Sequence, residues 1–555
     1  MASDPTRLVQ KGKRKVKRVL FSRTAIIVLL LLLQLFYLLG IFGRLRSFLP
    51  YTYGGMLLLN LVAILVIVNR KGNPSYKLAW MLPVTLLPVF GIFLYLFLDY
   101  QLGRRLVYYR QNKLEKGLTA QDCQKEEVFE RLQQKDAGLA NLSRYLYQRG
   151  HFPVYQNTKV RYFPSGEAMF EVMLERLETA ESFIFMEYFS FEDCGMWNTL
   201  LEVLSRKAAE GVEVRFMYDG TCSFRMPYHY ADTLRAMGIQ CRVFNQIEPV
   251  LSTVQNNRDH RKITVIDGHT AFTGGINLED AYINAEVRYG YWKDTAVLLE
   301  GEAVRSFTSM FLQAWQTWKL KEETAEIDVS RYYPRLDSRE SARTLNDAQD
   351  TADNRRPGGA PPADGIQPPD CTTEGFVIPY GDSPMDNENI GESVYMDILY
   401  SAKRYVHIMT PYLILDNEMV TALTYAAGRG IDVKIIMPGI PDKWYAFVVA
   451  KTFYPELLEA GVKIYQFQPG FVHAKSFVSD DDRAVVGTIN LDYRSLYLHY
   501  ECAVLFAGMD AVGDVEADFQ ATLSQCREIT PEICRREKLS VKLSGRFLRL
   551  IAPLM

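Results

Sequence analysis

Residues 260–277 read HRKITVIDGHTAFTGGIN, and residues 473–490 read HAKSFVSDDDRAVVGTIN. Counted from each histidine, both place lysine at +2 (Lys262, Lys475) and aspartate at +7 (Asp267, Asp480). Glycine follows at +14 (Gly274, Gly487) and asparagine at +17 (Asn277, Asn490). The chain has 7 histidines in 555 residues, and a lone one on an apolar strand reads as a core residue. The same ruler applied twice reads as a reaction centre. Residues i and i+2 of an extended strand share a face, so His260 and Lys262 project together, as do His473 and Lys475. Arg261 and Ala474 face the other way. ITVI and TAFT flank DGH, a hairpin signal. Gly274 and Gly487 are read as points where the backbone approaches a bound group.

The repeat extends beyond these stretches. LETAESFIFMEYFSFEDCGMWNTLLEVLSRKAAEGVEVRFMYDG begins at Leu177, and LYSAKRYVHIMTPYLILDNEMVTALTYAAGRGIDVKIIMPG begins at Leu399. Each reads as helix end, buried strand, long helix, glycine stop and strand, the alternation of an α/β domain. The fold expected is therefore α/β, in two duplicated halves at 150–335 and 374–540 that form one pseudo-twofold unit. The intervening 336–373 is poor in aliphatics and is read as a disordered linker. Residues 541–555 form a basic, apolar tail, to be laid on lipid or docked on the domain.

Three uncharged apolar runs open the chain, Thr24–Phe42, Tyr51–Val68 and Leu78–Leu98. Each has a length suited to a bilayer of about 30 Å, so 24–100 is expected to be a membrane module of three helices. A cleaved signal peptide is the lesser reading of the first run, which lacks a small-residue cleavage site. Pro83 and Pro88 kink the third run or make it re-entrant. Residues 1–23 carry eight Lys/Arg against Asp4 and form a basic tail placed in the cytoplasm. Segment 101–149 connects the module to the first half, and its own basic residues conflict with the orientation that three full spans would impose.

The net charge is −2 with 23% charged residues, which gives no general field for nucleic acid. Eight cysteines carry no zinc spacing, and no carboxylate cluster suggests a metal, so neither metal nor cofactor is expected. Two imidazoles, two ammonium groups and two amides suit a phosphodiester. Lys and Asn donate to phosphoryl oxygens. One histidine attacks phosphorus while the other protonates the leaving oxygen.

The doubled H-x-K-x4-D motif with its G-x-x-N continuation resembles the phospholipase D superfamily. The resemblance implies catalytic roles for His260, Lys262, Asp267, His473, Lys475 and Asp480, with Asn277, Asn490, Gly274 and Gly487 supporting the phosphate. Asp267 and Asp480 are read as loop braces within that set. It also implies a carboxylate that orients each imidazole, offered by Glu501 in the second half and Asp294 in the first. Arg494 and Ser495 are read as support for the second site. Glu187 is either a second acid facing the site or an ordinary strand-end carboxylate. Trp444, Tyr445, Phe447, Phe453 and Tyr454 suit a membrane interface or the core of their helix. NRKGNPSYKLAWMLPVTLLPVFGIFLYLF and the ending RLIAPLM resemble bacterial cardiolipin synthases, apart from an extra first span and the long linker. That family implies a multi-pass protein of the bacterial cell membrane. Its activity would transfer a phosphatidyl group between two phosphatidylglycerols through a phosphohistidine on His260, with His473 as acid and base. The rivals are a membrane phospholipase D, a transferase using another alcohol or phosphatidylethanolamine, and an inactive membrane scaffold.

Overall fold

A computed structural model describes residues 27–35, 49–99, 123–227, 229–247, 253–318, 329–333, 375–386 and 388–554. The basic tail 1–23 and the linker 336–373 lie outside the described residues. The first half supplies β1 (Thr158–Phe163), β2 (Phe183–Tyr188), β3 (Glu213–Asp219), β4 (Gln240–Phe244), β5 (Lys262–Ile266), β6 (Thr270–Gly274), β7 (Tyr291–Lys293) and β8 (Ala296–Gly301). The second opens with β9 (Phe376–Asp382), β10 (Tyr405–Met409), β11 (Leu413–Ile414), β12 (Asp432–Pro438) and β13 (Lys463–Phe467). It continues with β14 (Gly470–Val472), β15 (Ser476–Ser479), β16 (Arg483–Gly487), β17 (Leu491–Asp492), β18 (Glu501–Ala507) and β19 (Cys526–Ile529).

The first sheet runs β1-β8-β6-β5-β2-β3-β4, and the second runs β9-β18-β16-β15-β10-β12-β13 with β19 added at its edge. Strand for strand this is one topology used twice, as the repeated sequence led us to expect. In each copy three parallel strands carry crossover helices, and a hairpin bearing the histidine motif pairs antiparallel beside them. β5 is KITVI, rich in β-branched residues and buried throughout, which suits a central strand covered on both faces.

Helices Gly166–Glu178 and Gly195–Ala209 cover the outer side of the first sheet, and Ile390–Ser401 and Asn417–Gly428 cover that of the second. A further core joins the halves. Phe185, Val265, Phe307 and Phe311 meet Val478, Val486, Val504 and Phe506 there. Each such side chain contributes about 1.5–3 kcal/mol relative to exposure, so the halves are firmly docked. Helices Glu126–Lys135 and Ala137–Gly150, within the segment expected to lead into the first half, instead pack Val128, Leu132, Leu139 and Leu146 into the core of the second.

Three membrane-spanning helices were expected, and the described residues do not confirm them. Among the described residues, no helix is long and apolar enough to cross a membrane. Only residues 27–35 of the first run are described, and they are helical. Leu49–Asn69 forms a helix, but the third run is two helices, Pro74–Leu86 and Pro88–Asp99. At 13 and 12 residues they extend about 20 and 18 Å, short of a hydrocarbon core of about 30 Å. Pro88 explains the break, because it lacks an N–H and forces Leu87 out of helical geometry (φ −129°, ψ 70°). The two helices fold back on each other, with the Trp80 and Tyr95 rings edge to face at 5.5 Å. Gly91 lies so close to the Pro83 carbonyl that a Cβ there would overlap it.

Candidate active site

Both motif hairpins turn through a left-handed aspartate, Asp267 (φ 52°) and Asp480 (φ 59°). Their carboxylates accept backbone N–H bonds from the start of the neighbouring strand. Asp267 takes those of Glu181, Ser182 and Phe183 at 2.7–2.8 Å, and Asp480 takes those of Lys403, Arg404 and Tyr405 at 2.8–3.0 Å. Both lie at the end of β5 or β15 remote from the histidine. They brace loops and do not contact the imidazoles.

The histidines stand just before β5 and β15 at the junction of the halves. β7 pairs in parallel with β14, matching Tyr291 to Gly470 and Lys293 to Val472. That register puts Asp294 beside His473. A parallel bridge between Asp259 and Tyr500 likewise puts Glu501 beside His260. The carboxylates therefore cross over. Glu501 Oε2 lies 2.9 Å from His260 Nδ1, and Asp294 Oδ2 lies 2.7 Å from His473 Nδ1. The sequence reading had counted each carboxylate from the histidine of its own half, and the pairing is the reverse. The main chain repeats the exchange, since His260 N–H donates to Tyr500 O at 2.9 Å and His473 N–H to Lys293 O at 2.7 Å.

One difference between GGIN and GTIN now has a cause. A Cβ at Gly275 would overlap the Asp294 carboxylate, whereas the Thr488 hydroxyl at the matching position donates to Glu501. Gly274 and Gly487 were expected to let the backbone near a bound group. Instead, a Cβ at Gly274 would meet the backbone of Thr295 and Ala296, and one at Gly487 would meet Ala503. Strand packing accounts for both glycines. Asn277 is buried and already engaged, accepting from Ser190 N–H at 3.2 Å and donating to the Tyr282 hydroxyl at 2.7 Å. Asn490 keeps its side-chain oxygen buried and unpaired among the described residues.

Lys262 donates to its own histidine's carbonyl at 2.6 Å, and Lys475 does the same for His473. Both ammonium groups are buried, and burial pushes Lys262 down to about 8 and Lys475 to about 7. Burial, reinforced by Lys262 and Lys475, holds both imidazoles well below the usual histidine range and so favours the neutral form of each. Burial raises Asp294 to about 6, against the pull of Lys475.

Some neighbours were missed in the sequence. His499 is buried with neither ring nitrogen bonded among the described residues, and its ring centre lies 5.5 Å from that of His260. Trp292 holds the matching place 5.4 Å from His473. Each stands two residues before the orienting carboxylate, an offset readable once the ruler is extended to Glu501 and Asp294. His260, His499 and Glu501 also bring ligand atoms within 4.8 Å of one another, a grouping able to hold a cation that no sequence spacing announced. Glu187 faces away from the imidazoles, paired at 2.6 Å with Arg261, which also binds Asp259 at 3.0 Å. Arg494 and Ser495 fall in the short helix Tyr493–Tyr497, where Ser495 N–H bonds Asp492 at 2.9 Å. Of the aromatic run, Phe453 and Tyr454 are buried, while Trp444 is exposed.

The family described as "Cardiolipin synthase, PLD-like domain" matches residues 173–315 and 395–523, and "Phospholipase_D-nuclease N-terminal" matches 58–98. A protein named "Cardiolipin synthase 2" from Bacillus anthracis is 30% identical over 88% of this chain and 89% of its own. The chain belongs to the cardiolipin synthase family of phospholipase D-like proteins. A Streptococcus mutans relative carrying no functional name is 45% identical over 89% of this chain and 99% of its own. Among solved structures, a phosphatidylserine synthase from Haemophilus influenzae covers 75% of this chain and all of its own. Its TM-score is 0.52 at 14% identity, which shows a shared fold. The matched ranges 173–315 and 395–523 include His260 with Asp294 and His473 with Glu501.

Proposed function

We propose that the protein is a cardiolipin synthase, transferring a phosphatidyl group from one phosphatidylglycerol to another with release of glycerol. The observation that carries this reading is the pair of neutral imidazoles, each held by a carboxylate of the opposite half and flanked by a buried lysine. It is supported by the cardiolipin synthase relatives that match nearly the whole chain.

His260 Nε2 attacks phosphorus while Glu501 stabilises the imidazolium that develops. The bound phosphate anion and Asp294 favour the imidazolium of His473, which gives its Nε2 proton to the departing glycerol oxygen; the neutral imidazole left behind then takes the proton from the primary hydroxyl of the second phosphatidylglycerol as that oxygen attacks the phosphohistidine. Lys262 and Lys475 neutralise the phosphoryl oxygens; the anion in turn stabilises their charged forms, which burial alone disfavours. The folded-back helices Pro74–Leu86 and Pro88–Asp99, with Leu78 and Leu86 exposed, associate with the membrane that holds the substrate.

The test is to incubate purified full-length protein with phosphatidylglycerol and resolve the products. Cardiolipin and glycerol in equal amounts are expected. Phosphatidic acid as sole product would overturn the transfer reading.

A further inference from the structure

The C-terminal helix Leu539–Ile551 is turned the wrong way for an ordinary surface helix. Such a helix docks its apolar face. Here Leu539 (70% exposed), Leu543 (57%), Phe547 (62%) and Leu550 (59%) form one stripe at helical spacing, and it faces outward. The side that touches the protein is narrow. Gly545 sits where a Cβ would meet Val448 and Thr452, and Leu548 packs on the second-half core. Between these two faces, Lys542, Arg546 and Arg549 run along one flank. They line a groove of about 950 Å³ shared with Lys451, Arg527 and Arg535. Glu456, Glu459 and Glu537 are the acids lining it, so cations outnumber them by six to three. Arg546 and Arg527 are exposed and have no side-chain partner among the described residues. Val448, Pro455, Ile533 and Val541 give the same groove an apolar floor.

The surroundings extend this surface in both directions. The helix packs against Pro74–Leu86, whose Leu78 and Leu86 are exposed, so the stripe continues onto the folded-back N-terminal helices. It also packs against Trp444–Ala450. The N-cap of that helix, Lys443, is close enough to depress both His260 and His473, and Trp444 is 64% exposed beside it.

We propose that the outward face of helix Leu539–Ile551, with the basic groove behind it, is a binding site for anionic phospholipid at the bilayer surface. The stripe sits at the headgroup–acyl boundary, and Lys542, Arg546 and Arg527 take the lipid phosphate. A basic flank beside an outward apolar stripe is the pattern of interfacial helices, and the excess of cations selects the anionic lipid. The proposal concerns binding alone and stands apart from the transfer chemistry.

The test uses the full-length chain carrying Trp444→Phe and Phe547→Trp, reconstituted in nanodiscs. Quenching by brominated phosphatidylglycerol or brominated phosphatidylcholine at equal mole fraction is read as the difference from the chain carrying Trp444→Phe alone, which isolates the added indole from the other five tryptophans. Quenching at least twofold stronger with phosphatidylglycerol is expected, and Lys542→Gln with Arg546→Gln should make the two lipids equal. Absence of quenching, or equal quenching before the charges are removed, overturns the proposal. The thermal midpoint in detergent establishes that each variant is folded. Because no turnover is read, a negative result leaves the proposed transferase activity untouched.

Discussion

Replacing Glu501 with glutamine should disable a histidine in the other half of the protein. The carboxylate sits 2.9 Å from His260 Nδ1, buried, and also accepts from Thr488. The amide keeps the shape and removes the charge that stabilises the imidazolium. A hydrogen bond to a charged group contributes about 1.5–3 kcal/mol. At about 1.36 kcal/mol per tenfold in rate, kcat/KM for cardiolipin formation should fall roughly 10- to 150-fold. His260 should titrate lower still, because burial and two lysines already oppose its charge. The assay pairs steady-state glycerol release with the 15N resonances of histidine-labelled protein. The ring signals of His260 should move while those of His473 stay. A shift at His473 instead, or a loss below threefold, would refute the crossed arrangement. Asp294→Asn is the mirror experiment and should move His473 alone.

The remaining expectations concern the supports of the site. Gly275→Ala should cost at least tenfold in kcat/KM with the fold retained, since the new methyl occupies the space of the Asp294 carboxylate; full activity would show that Asp294 can relocate freely. Asp267→Ala removes three backbone hydrogen bonds and should lower stability by about 1–3 kcal/mol in denaturant titration, with kcat nearly unchanged once folded. A collapse of kcat in the folded variant would restore Asp267 to the chemistry. The pH profile of kcat/KM should be bell-shaped. Asp294 is raised to about 6, so its charge is lost as pH falls through that value, whereas the lysines at about 7 and 8 lose theirs as pH rises. An alkaline limb near the ordinary lysine value would contradict the burial of Lys262 and Lys475.

Much of the site was legible because strand geometry is local. The alternation that placed His260 with Lys262 and turned Arg261 away is a property of three consecutive residues, and the hairpin turn at Asp267 is equally short-ranged. The crossing was not legible. It depends on β7 meeting β14 and on Asp259 meeting Tyr500, contacts between segments 179 to 241 residues apart. Glycine was misleading for a related reason: the backbone that crowds Gly274 belongs to β8, invisible to a motif read along one strand. In the third apolar run, hydropathy concealed a break that Pro88 and Gly91 impose by geometry. The C-terminal tail showed its mixture of basic and apolar residues in sequence, but which face touched protein was decided by Gly545 against Val448.

The exchange of carboxylates has a consequence for how the enzyme comes into being. During synthesis the first half emerges with His260, Lys262 and Asn277 in place but without Glu501, while Asp294 waits for a histidine not yet made. Neither portion alone owns a complete dyad. Under the proposed mechanism, reaction competence works as an AND condition on the closing of the last interface.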